Sequence, residues 1–295
     1  MKKILAVFFV FAALSRICAA FEASDATHFT DDRGQAVSLK NPVQKIVSLE
    51  PALTETLYII GQFDKVVGLA LSESSLNWPE AVKEKTSVGS IRNVSLETLV
   101  ALEPDLVIGS AMSERGLAAA AKLGIPTAFI SPNSLDEILR TMKALGRLLG
   151  AEEAARKTAD EYALRIEEIR RKAPGQNSTG FFVYAVNPIM IFGGGSLPGE
   201  VLNLAGIRNP LAKVSFSRPA ISQEEILAAD PDYIFLAMGA AASQADLKNH
   251  PFWSRLRAVK NGNLMAPPAE YYLRPSPRIV LGVEAFYDFV YGGRR

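Results

Sequence analysis

The residues that could bind a ligand are aromatic and arginine side chains in predicted loops. Aromatic rings can stack on a flat ligand, and guanidinium groups can pair with its anionic groups. In open α/β sheets, the loops that leave the carboxyl ends of the strands line the ligand cleft. The candidate ligand-binding residues are Trp78, Arg92, Phe216, Arg218, Tyr271, Tyr272 and Arg274. Core packing or a surface role is the alternative for each of them.

The sequence offers little that could act in catalysis. A glycine run at 193–195, followed by Ser196, resembles a phosphate cradle but lacks the lysine of a P-loop, and a tight turn is the alternative. No serine stands in a Gly-x-Ser-x-Gly elbow, and two histidines make a Ser-His-Asp triad hard to assemble. We therefore predict a protein without enzymatic activity and without catalytic residues. The alternative is an exported α/β enzyme that uses the predicted cleft.

The chain also offers few ligands for a free metal ion. Zinc and manganese sites are built from imidazoles, thiolates and carboxylates, whereas the chain has two histidines and one cysteine. We expect His28 and His250 to be exposed, with His250 near the start of a helix. No resident metal and no intrinsic cofactor are therefore predicted.

A sequence pattern in the first half of the chain returns in the second half. Residues 94–109 read VSLETLVALEPDLVIG, and residues 221–236 read ISQEEILAADPDYIFL. Each copy predicts a short acidic helix, a Pro-Asp turn and an apolar strand, and two such α/β lobes that face each other form a cleft. A chance likeness is the alternative, because Glu-Pro-Asp strings are common at helix-to-strand turns. The positions that match at one offset include Ser95/Ser222, Glu97/Glu224, Pro104/Pro231 and Asp105/Asp232.

Predicted strands and helices alternate along the chain, which indicates mainly parallel sheets covered on both faces. A hairpin is predicted for 26–39, and a helix capped by Ser134 and Glu137 for the segment before Gly150. The charged stretch 151–172 predicts a helix about 33 Å long at 1.5 Å per residue, enough to join two lobes. An ordinary surface helix is the alternative.

The N-terminus has the features of a secretory signal peptide. Lys2 and Lys3 precede an apolar run at 4–14, and small residues end at Ala20, where we expect cleavage. The run is shorter than the roughly 20 residues that a membrane-spanning helix needs. A lipid anchor through Cys18 is disfavoured because the two preceding residues are not small. The predicted domains are a signal peptide (1–20), an N-terminal lobe (21–150), a linking helix (151–173) and a C-terminal lobe (174–295).

Composition agrees with a secreted two-lobed protein that does not bind nucleic acid. The 295 residues carry 32 Lys and Arg against 31 Asp and Glu, and three of the basic residues lie in the predicted signal peptide. The mature chain is therefore slightly acidic, which argues against a nucleic-acid partner. Without its one cysteine it forms no disulfide and must be stabilised by hydrophobic cores.

Seven segments in order resemble the periplasmic substrate-binding proteins of ABC importers for vitamin B12, ferric siderophores and haem. The segments are KIVSLEPALTETLYIIG (45–61), VVGLA (66–70), VGSIRNVSLETLVALEPDLVI (88–108), LGIPTAFI (123–130), FGGGSLPGEVLNLAGIRNP (192–210), RPAISQEEILAADPDYIFL (218–236) and RPSPRIVLGVEAF (274–286). The resemblance implies two Rossmann-like α/β lobes with mainly parallel sheets, joined by one long rigid helix, with the ligand cleft between them. It also implies a monomer in the periplasm.

The resemblance further implies a partner and a cargo. In this family one glutamate on each lobe is thought to pair with arginines of the inner-membrane permease, and the matching positions are Glu97 and Glu224. Both lie in a first helical turn, where an acidic residue also stabilises the helix dipole, which is the alternative. Arg218, where B12-binding relatives are expected to have tryptophan, favours an anionic ferric siderophore over cobalamin. Haem is the further alternative, disfavoured because no tyrosine stands at Ser90 or Ile91.

Overall fold

Short strands build the sheets of the N-terminal half. The structure is a computed structural model that describes residues 20–71, 79–173, 175, 177–212, 220–237 and 243–292. The strands are β1 (Glu22–Ala23), β2 (His28–Thr30), β3 (Ala36–Ser38), β4 (Ile46–Ser48), β5 (Val66–Leu69), β6 (Thr86–Ser87), β7 (Gly89–Ser90), β8 (Asn93–Val94), β9 (Leu106–Gly109) and β10 (Thr127–Phe129). The antiparallel β2 and β3 confirm the predicted hairpin. The main sheet is parallel, in the order β10-β9-β4-β5-β6.

Helices follow the strands of this half, and proline, glycine and serine residues set where α1 and α2 begin or end. They are α1 (Pro51–Ile59), α2 (Leu96–Ala101), α3 (Glu114–Lys122), α4 (Leu135–Leu148) and α5 (Glu152–Lys172). Helix α1 begins at Pro51. Proline is favourable at the first helical position because the backbone N–H that it lacks would have no partner within the helix. It ends before Gly61, which has φ +71°. Helix α2 begins after Ser95, whose hydroxyl accepts the Thr98 N–H.

Helices cover both faces of this parallel sheet, as predicted. Alternate residues of the strands point to opposite faces, so that Ile46 and Val47 of β4 belong to different apolar clusters. Helices α1 and α4 pack on one face, and α2 and α3 pack on the other. Burial of apolar residues on both faces explains why the strands read as continuous apolar runs.

The C-terminal half repeats this arrangement with one antiparallel strand. Its strands are β11 (Ser178–Val186), β12 (Ile189–Ile191), β13 (Ile207–Arg208), β14 (Tyr233–Leu236) and β15 (Leu264–Met265). Its helices are α6 (Leu197–Leu204), α7 (Gln223–Ala229), α8 (Gln244–Asn249), α9 (Arg257–Lys260) and α10 (Ile279–Tyr291). The main sheet has the order β12-β11-β14-β15, with β12 antiparallel to β11. Helices α6 and α10 cover one face, and α7, α8 and α9 cover the other.

Helices α4 and α5 join the two halves. Ala155 and Ala159, near the start of α5, are buried in the N-terminal core, whereas Ile166 and Ile169, near its end, are buried in the C-terminal core. The prediction that 151–172 forms a helix joining two lobes is thus confirmed. Helix α4 runs beside α5 and also contributes to both cores, so two packed helices stiffen the junction.

The sequence repeat is a structural repeat. Glu103 and Asp230 occupy matching positions and both have positive φ, +49° and +29°. The carboxylate of Asp105 accepts the Gln44 and Lys45 backbone N–H groups, both at 2.8 Å, just before β4. In the second copy the Asp232 carboxylate accepts the N–H of Thr179 in β11 at 2.8 Å. Each aspartate therefore connects its turn to the neighbouring strand.

Several local predictions differ from the structure. Ser134 caps α4, but the Glu137 carboxylate accepts from the Asn133 N–H instead of the Ser134 N–H, so the capping box is incomplete. His250 ends α8, and the helix that follows Pro251 is only a short 3-10 helix (Trp253–Arg255) that begins three residues after His250. Signal residues 1–19 lie outside the described residues. Among the described helices, none is long and apolar enough to span a membrane.

Candidate functional site

A partly buried hydrogen bond joins the carboxyl ends of two neighbouring strands of the N-terminal lobe. Glu50 follows β4 and precedes α1, and Ser110 follows β9. The Ser110 Oγ donates to Glu50 Oε2 at 2.5 Å. Burial raises the pKa of Glu50, while the Ser110 hydrogen bond and the positive charge of Arg274 act in the opposite direction. Arg274 belongs to the other lobe, so this end of the sheet faces the C-terminal half.

Glu55 makes direct contact with that half. Its side chain lies on α1 and is 1% exposed. Ser276 Oγ donates to Glu55 Oε2 at 2.6 Å, and Arg278 Nη1 donates to Oε1 at 3.3 Å. Arg274 Nη1 also donates to Oε1. One carboxylate of the N-terminal lobe therefore receives three donors from one C-terminal segment.

Two arginines line an open concave surface on the N-terminal lobe. The surface encloses about 430 Å³ and lies beside the strand end that carries Ser110. Met112 on it is 59% exposed and offers an adaptable apolar contact. Two cations beside an apolar side chain fit a ligand that carries both rings and anionic groups. The lining residues are Arg92, Ala111, Met112, Glu114 and Arg115.

A second concave surface, on the C-terminal lobe, carries an aromatic ring and two arginines. It encloses about 190 Å³. Gly282 of α10 lets the helix approach the loop before it, since a Cβ there would lie 2.8 Å from the Cα of Tyr271. This contact holds Tyr271 at the surface. The lining residues are Glu270, Tyr271, Arg274, Arg278, Leu281, Gly282 and Ala285.

The structure separates the seven predicted ligand-binding residues into three groups. Arg92, Tyr271 and Arg274 line the two surfaces just described. Tyr272 is fully buried and stacks on Phe182 with ring centroids 4.3 Å apart, so it occupies a core position and not a ligand surface. The other three lie outside the described residues. They are Trp78, Phe216 and Arg218.

Apart from Arg274, sequence reasoning did not assign the polar residues that join the lobes. Glu55 and Ser276 are almost fully buried, and Arg278 lies two residues after Ser276. A signal was present for Glu55, since a carboxylate stands within the otherwise apolar and small run of α1. Burial of a carboxylate requires cationic or hydrogen-bonding partners, but the sequence does not identify them.

The two glutamates predicted to contact a permease occupy equivalent exposed positions. Glu97 lies in the first turn of α2, and Glu224 lies in the first turn of α7. Both are exposed. Each helix has a serine as its N-cap, Ser95 for α2 and Ser222 for α7.

The raised pKa of Glu50 predicts a pH-dependent effect on stability. A carboxyl group whose folded pKa lies above its unfolded value favours folding at low pH, and this contribution is lost as pH rises through the folded pKa. Glu50→Gln keeps an acceptor for Ser110 and removes the charge. We expect the variant to have a higher thermal midpoint than the parent at pH 7, with the difference vanishing below about pH 4. A lower midpoint at pH 7 would contradict this account.

A comparison with known protein families decides the class of this chain. The model of the family described as "Periplasmic binding protein" matches residues 46–271. The chain belongs to this family. The predicted fold, two α/β lobes joined by a long helix, is thereby confirmed by both the architecture and the family.

Individual relatives agree with the family. A vitamin B12-binding protein of Vibrio cholerae is 31% identical over 250 residues, which cover 82% of this chain and 87% of the relative. A vitamin B12-binding protein of Yersinia pestis is 29% identical over a region that covers 82% of this chain and 84% of the relative. The crystal structure of the periplasmic vitamin B12 binding protein of Vibrio cholerae has a TM-score of 0.68 at 27% identity, covering 86% and 99%. These family members are named as binding proteins and not as enzymes.

More distant solved structures share the fold. A possible iron-binding protein from Staphylococcus epidermidis has a TM-score of 0.75 at 24% identity, covering 84% of this chain and 99% of that one. A periplasmic heme-binding protein from Roseiflexus has a TM-score of 0.70 at 22% identity, covering 85% and 99%. The family fold therefore occurs in proteins named for different ligands.

Proposed function

We propose that this protein is the substrate-binding component of an ABC importer, and that it captures a metal chelate between its lobes and delivers it to the membrane permease. The observation that carries the proposal is the contact between the strand-end side of the N-terminal lobe and a C-terminal segment with two arginines. Strand ends of facing α/β lobes are the usual place for a ligand. Binding without chemical conversion is the whole function.

The cationic side chains of the two surfaces favour a ferric siderophore as cargo. Arg92 and Arg115 lie on the N-terminal surface, and Arg274 lies on the C-terminal surface beside Tyr271. Guanidinium groups bind carboxylates and catecholate oxygens well because they donate paired hydrogen bonds in a fixed plane. Arg274 pairs with Glu55. On the N-terminal surface, Arg92 and Arg115 stand beside one carboxylate, that of Glu114, so two cations face one anion there.

Cobalamin is the second candidate cargo, and the sequence relatives favour it. The Vibrio and Yersinia proteins are named as vitamin B12-binding proteins, and they match most of this chain. A corrinoid would use the aromatic and apolar side chains, Tyr271 and Met112, more than the arginines. The two cargoes therefore predict different effects of removing positive charge.

The proposal extends to export and to the domain boundaries. A signal peptide at 1–20 would direct the protein to the periplasm, where the lobes 21–150 and 174–295, linked by 151–173, would meet the cargo. Glu97 and Glu224 would then contact basic residues of the permease, because exposed carboxylates on two lobes can orient a protein on a cationic surface. The protein acts as a monomer in this scheme.

A ligand panel tests the proposed function. The signal-free protein is titrated calorimetrically with a ferric tris-catecholate, a ferric hydroxamate, haem and cyanocobalamin. We expect one of them to bind at one molecule per chain and to be recovered unchanged. Failure of all four, or conversion of the bound compound, would contradict the proposal.

The same titration with Arg92→Ala/Arg115→Ala separates the cargoes. For an anionic ferric siderophore we expect about a 10- to 100-fold weaker affinity, as for loss of two charged hydrogen-bond donors at about 1–3 kcal/mol in total. For cobalamin we expect less than about a threefold change. Lys83→Ala/Lys122→Ala is the matched control, since it removes two exposed cations of the same lobe outside the concave surface.

A further inference from the structure

The Glu55 carboxylate is a buried connection between the lobes. It lies on α1, and its three donors, Arg274, Ser276 and Arg278, lie more than 200 positions later in the chain. Its side chain is 1% exposed, whereas those of Arg274 and Arg278 are 20% and 28% exposed. The carboxylate is therefore the enclosed member of the cluster, and the arginines extend from it toward solvent.

The chemistry of the cluster makes the negative charge necessary. Oε1 accepts from both arginines, and Oε2 accepts from Ser276, so both oxygens act as acceptors. A glutamine in this place has one oxygen and an NH₂ group. Its NH₂ would face either the arginine donors or the Ser276 hydroxyl, which would then have to accept instead of donate. Loss of the charge would also leave two partly buried guanidinium groups without this counter-ion, and breaking a buried pair is strongly unfavourable.

We propose that Glu55 is a positioning residue that fixes the spacing of the two lobes and directs Arg274 toward the cargo. Helices α4 and α5 form one connection between the lobes, and the Glu55 cluster forms a second. Two separate connections restrain rotation of one lobe relative to the other, whereas a single connection would permit it. The part about lobe spacing is independent of the cargo, and only the part about Arg274 rests on the proposed function.

Distance measurement between spin labels tests the first part. Cysteines replace the exposed Lys122 of α3 and Lys248 of α8 in the signal-free protein, whose sequence has no other cysteine. We expect Glu55→Gln to broaden the distribution of inter-lobe distances in the ligand-free protein. The control is Glu103→Gln, which removes the charge from an exposed pair with Lys45 inside one lobe, and it is expected to leave the distribution unchanged. A Glu55→Gln distribution that superimposes on that of the parent would overturn the proposal.

Compensation separates positioning from general loss of stability. Glu55→Gln/Arg278→Met removes one negative charge from the N-terminal lobe and one positive charge from the C-terminal lobe. We expect this double variant to have a narrower distribution of inter-lobe distances than Glu55→Gln alone. If Glu55→Gln fails to fold, Ser276→Ala removes a single bond and is expected to broaden the distribution to a smaller extent. An equally broad distribution in the double variant, or an unchanged one in Ser276→Ala, would argue against the cluster.

Cargo affinity tests the second part. For a ferric tris-catecholate we expect Glu55→Gln to weaken binding about tenfold, which corresponds to about 1.4 kcal/mol. Unchanged or tighter binding would overturn the role of Glu55 in directing Arg274. If the parent protein binds none of the four panel compounds, the proposed function fails, whereas the distance measurement still decides whether Glu55 fixes the lobes.

Discussion

Replacing both Glu97 and Glu224 by alanine is expected to abolish stimulation of the cognate ABC transporter while cargo affinity stays unchanged. Both carboxylates are exposed in the first turns of α2 and α7, one on each lobe. Truncating a charged residue of a buried interface pair typically costs about 2–5 kcal/mol, and two such losses exceed a hundredfold in affinity. The measurement is cargo-dependent ATP hydrolysis by the permease complex in nanodiscs.

A matched variant controls for the change in net charge. Glu80→Ala/Asp288→Ala also removes one exposed carboxylate from each lobe, outside the first turns of α2 and α7. We expect it to stimulate the transporter as the parent does. Normal stimulation by Glu97→Ala/Glu224→Ala would exclude these glutamates as the docking residues, and loss of cargo affinity would show that they act on the cleft instead.

Phe182→Ala is expected to destabilise the protein by about 3–5 kcal/mol, the usual cost of truncating a buried phenylalanine. Phe182 is fully buried at the centre of the C-terminal aromatic core. Its ring lies 4.3 Å from that of Tyr272 and 5.1 Å from that of Phe235, measured between centroids. Since Tyr272 is two residues before Arg274, the same change should loosen the segment that contacts Glu55.

Chemical denaturation followed by circular dichroism measures this loss. The control is Phe289→Ala, because Phe289 lies on α10 of the same lobe and is 41% exposed. We expect the control to change the free energy of unfolding by no more than about 0.5 kcal/mol. A loss below about 1 kcal/mol in Phe182→Ala would contradict the assignment of Phe182 to a tightly packed core.

The repeated architecture was predictable because its signals are local. Ser95 and Ser222 cap their helices, and Asp105 and Asp232 close their turns, through contacts that depend on short-range geometry or on the neighbouring strand. The linking helix was predictable from its length and charge pattern. The direction of the antiparallel strand β12 is also a local property, because the two residues between β11 and β12 are too few for a parallel connection.

The polar contacts between the lobes depend on residues that are far apart in the chain. Glu55 belongs to a helix whose sequence gives no sign that Arg274 and Arg278 will cover it, since their approach depends on the packing of two complete lobes. Neighbouring Tyr271 and Tyr272 look alike in sequence, yet Tyr271 lines the concave surface of the C-terminal lobe and Tyr272 is buried against Phe182. The position of α10, which approaches closely at Gly282, separates them.

The sequence by itself determined the two α/β lobes, the long joining helix, the paired surface glutamates and the family of this protein. These features follow from periodicity, caps and turns, which act over a few residues and therefore leave a local pattern. Only the tertiary structure decided which loop residues line the two concave surfaces, which are buried, and which carboxylate connects the lobes. Burial and charge pairing across more than 200 residues depend on the packing of whole lobes, and no short segment encodes them.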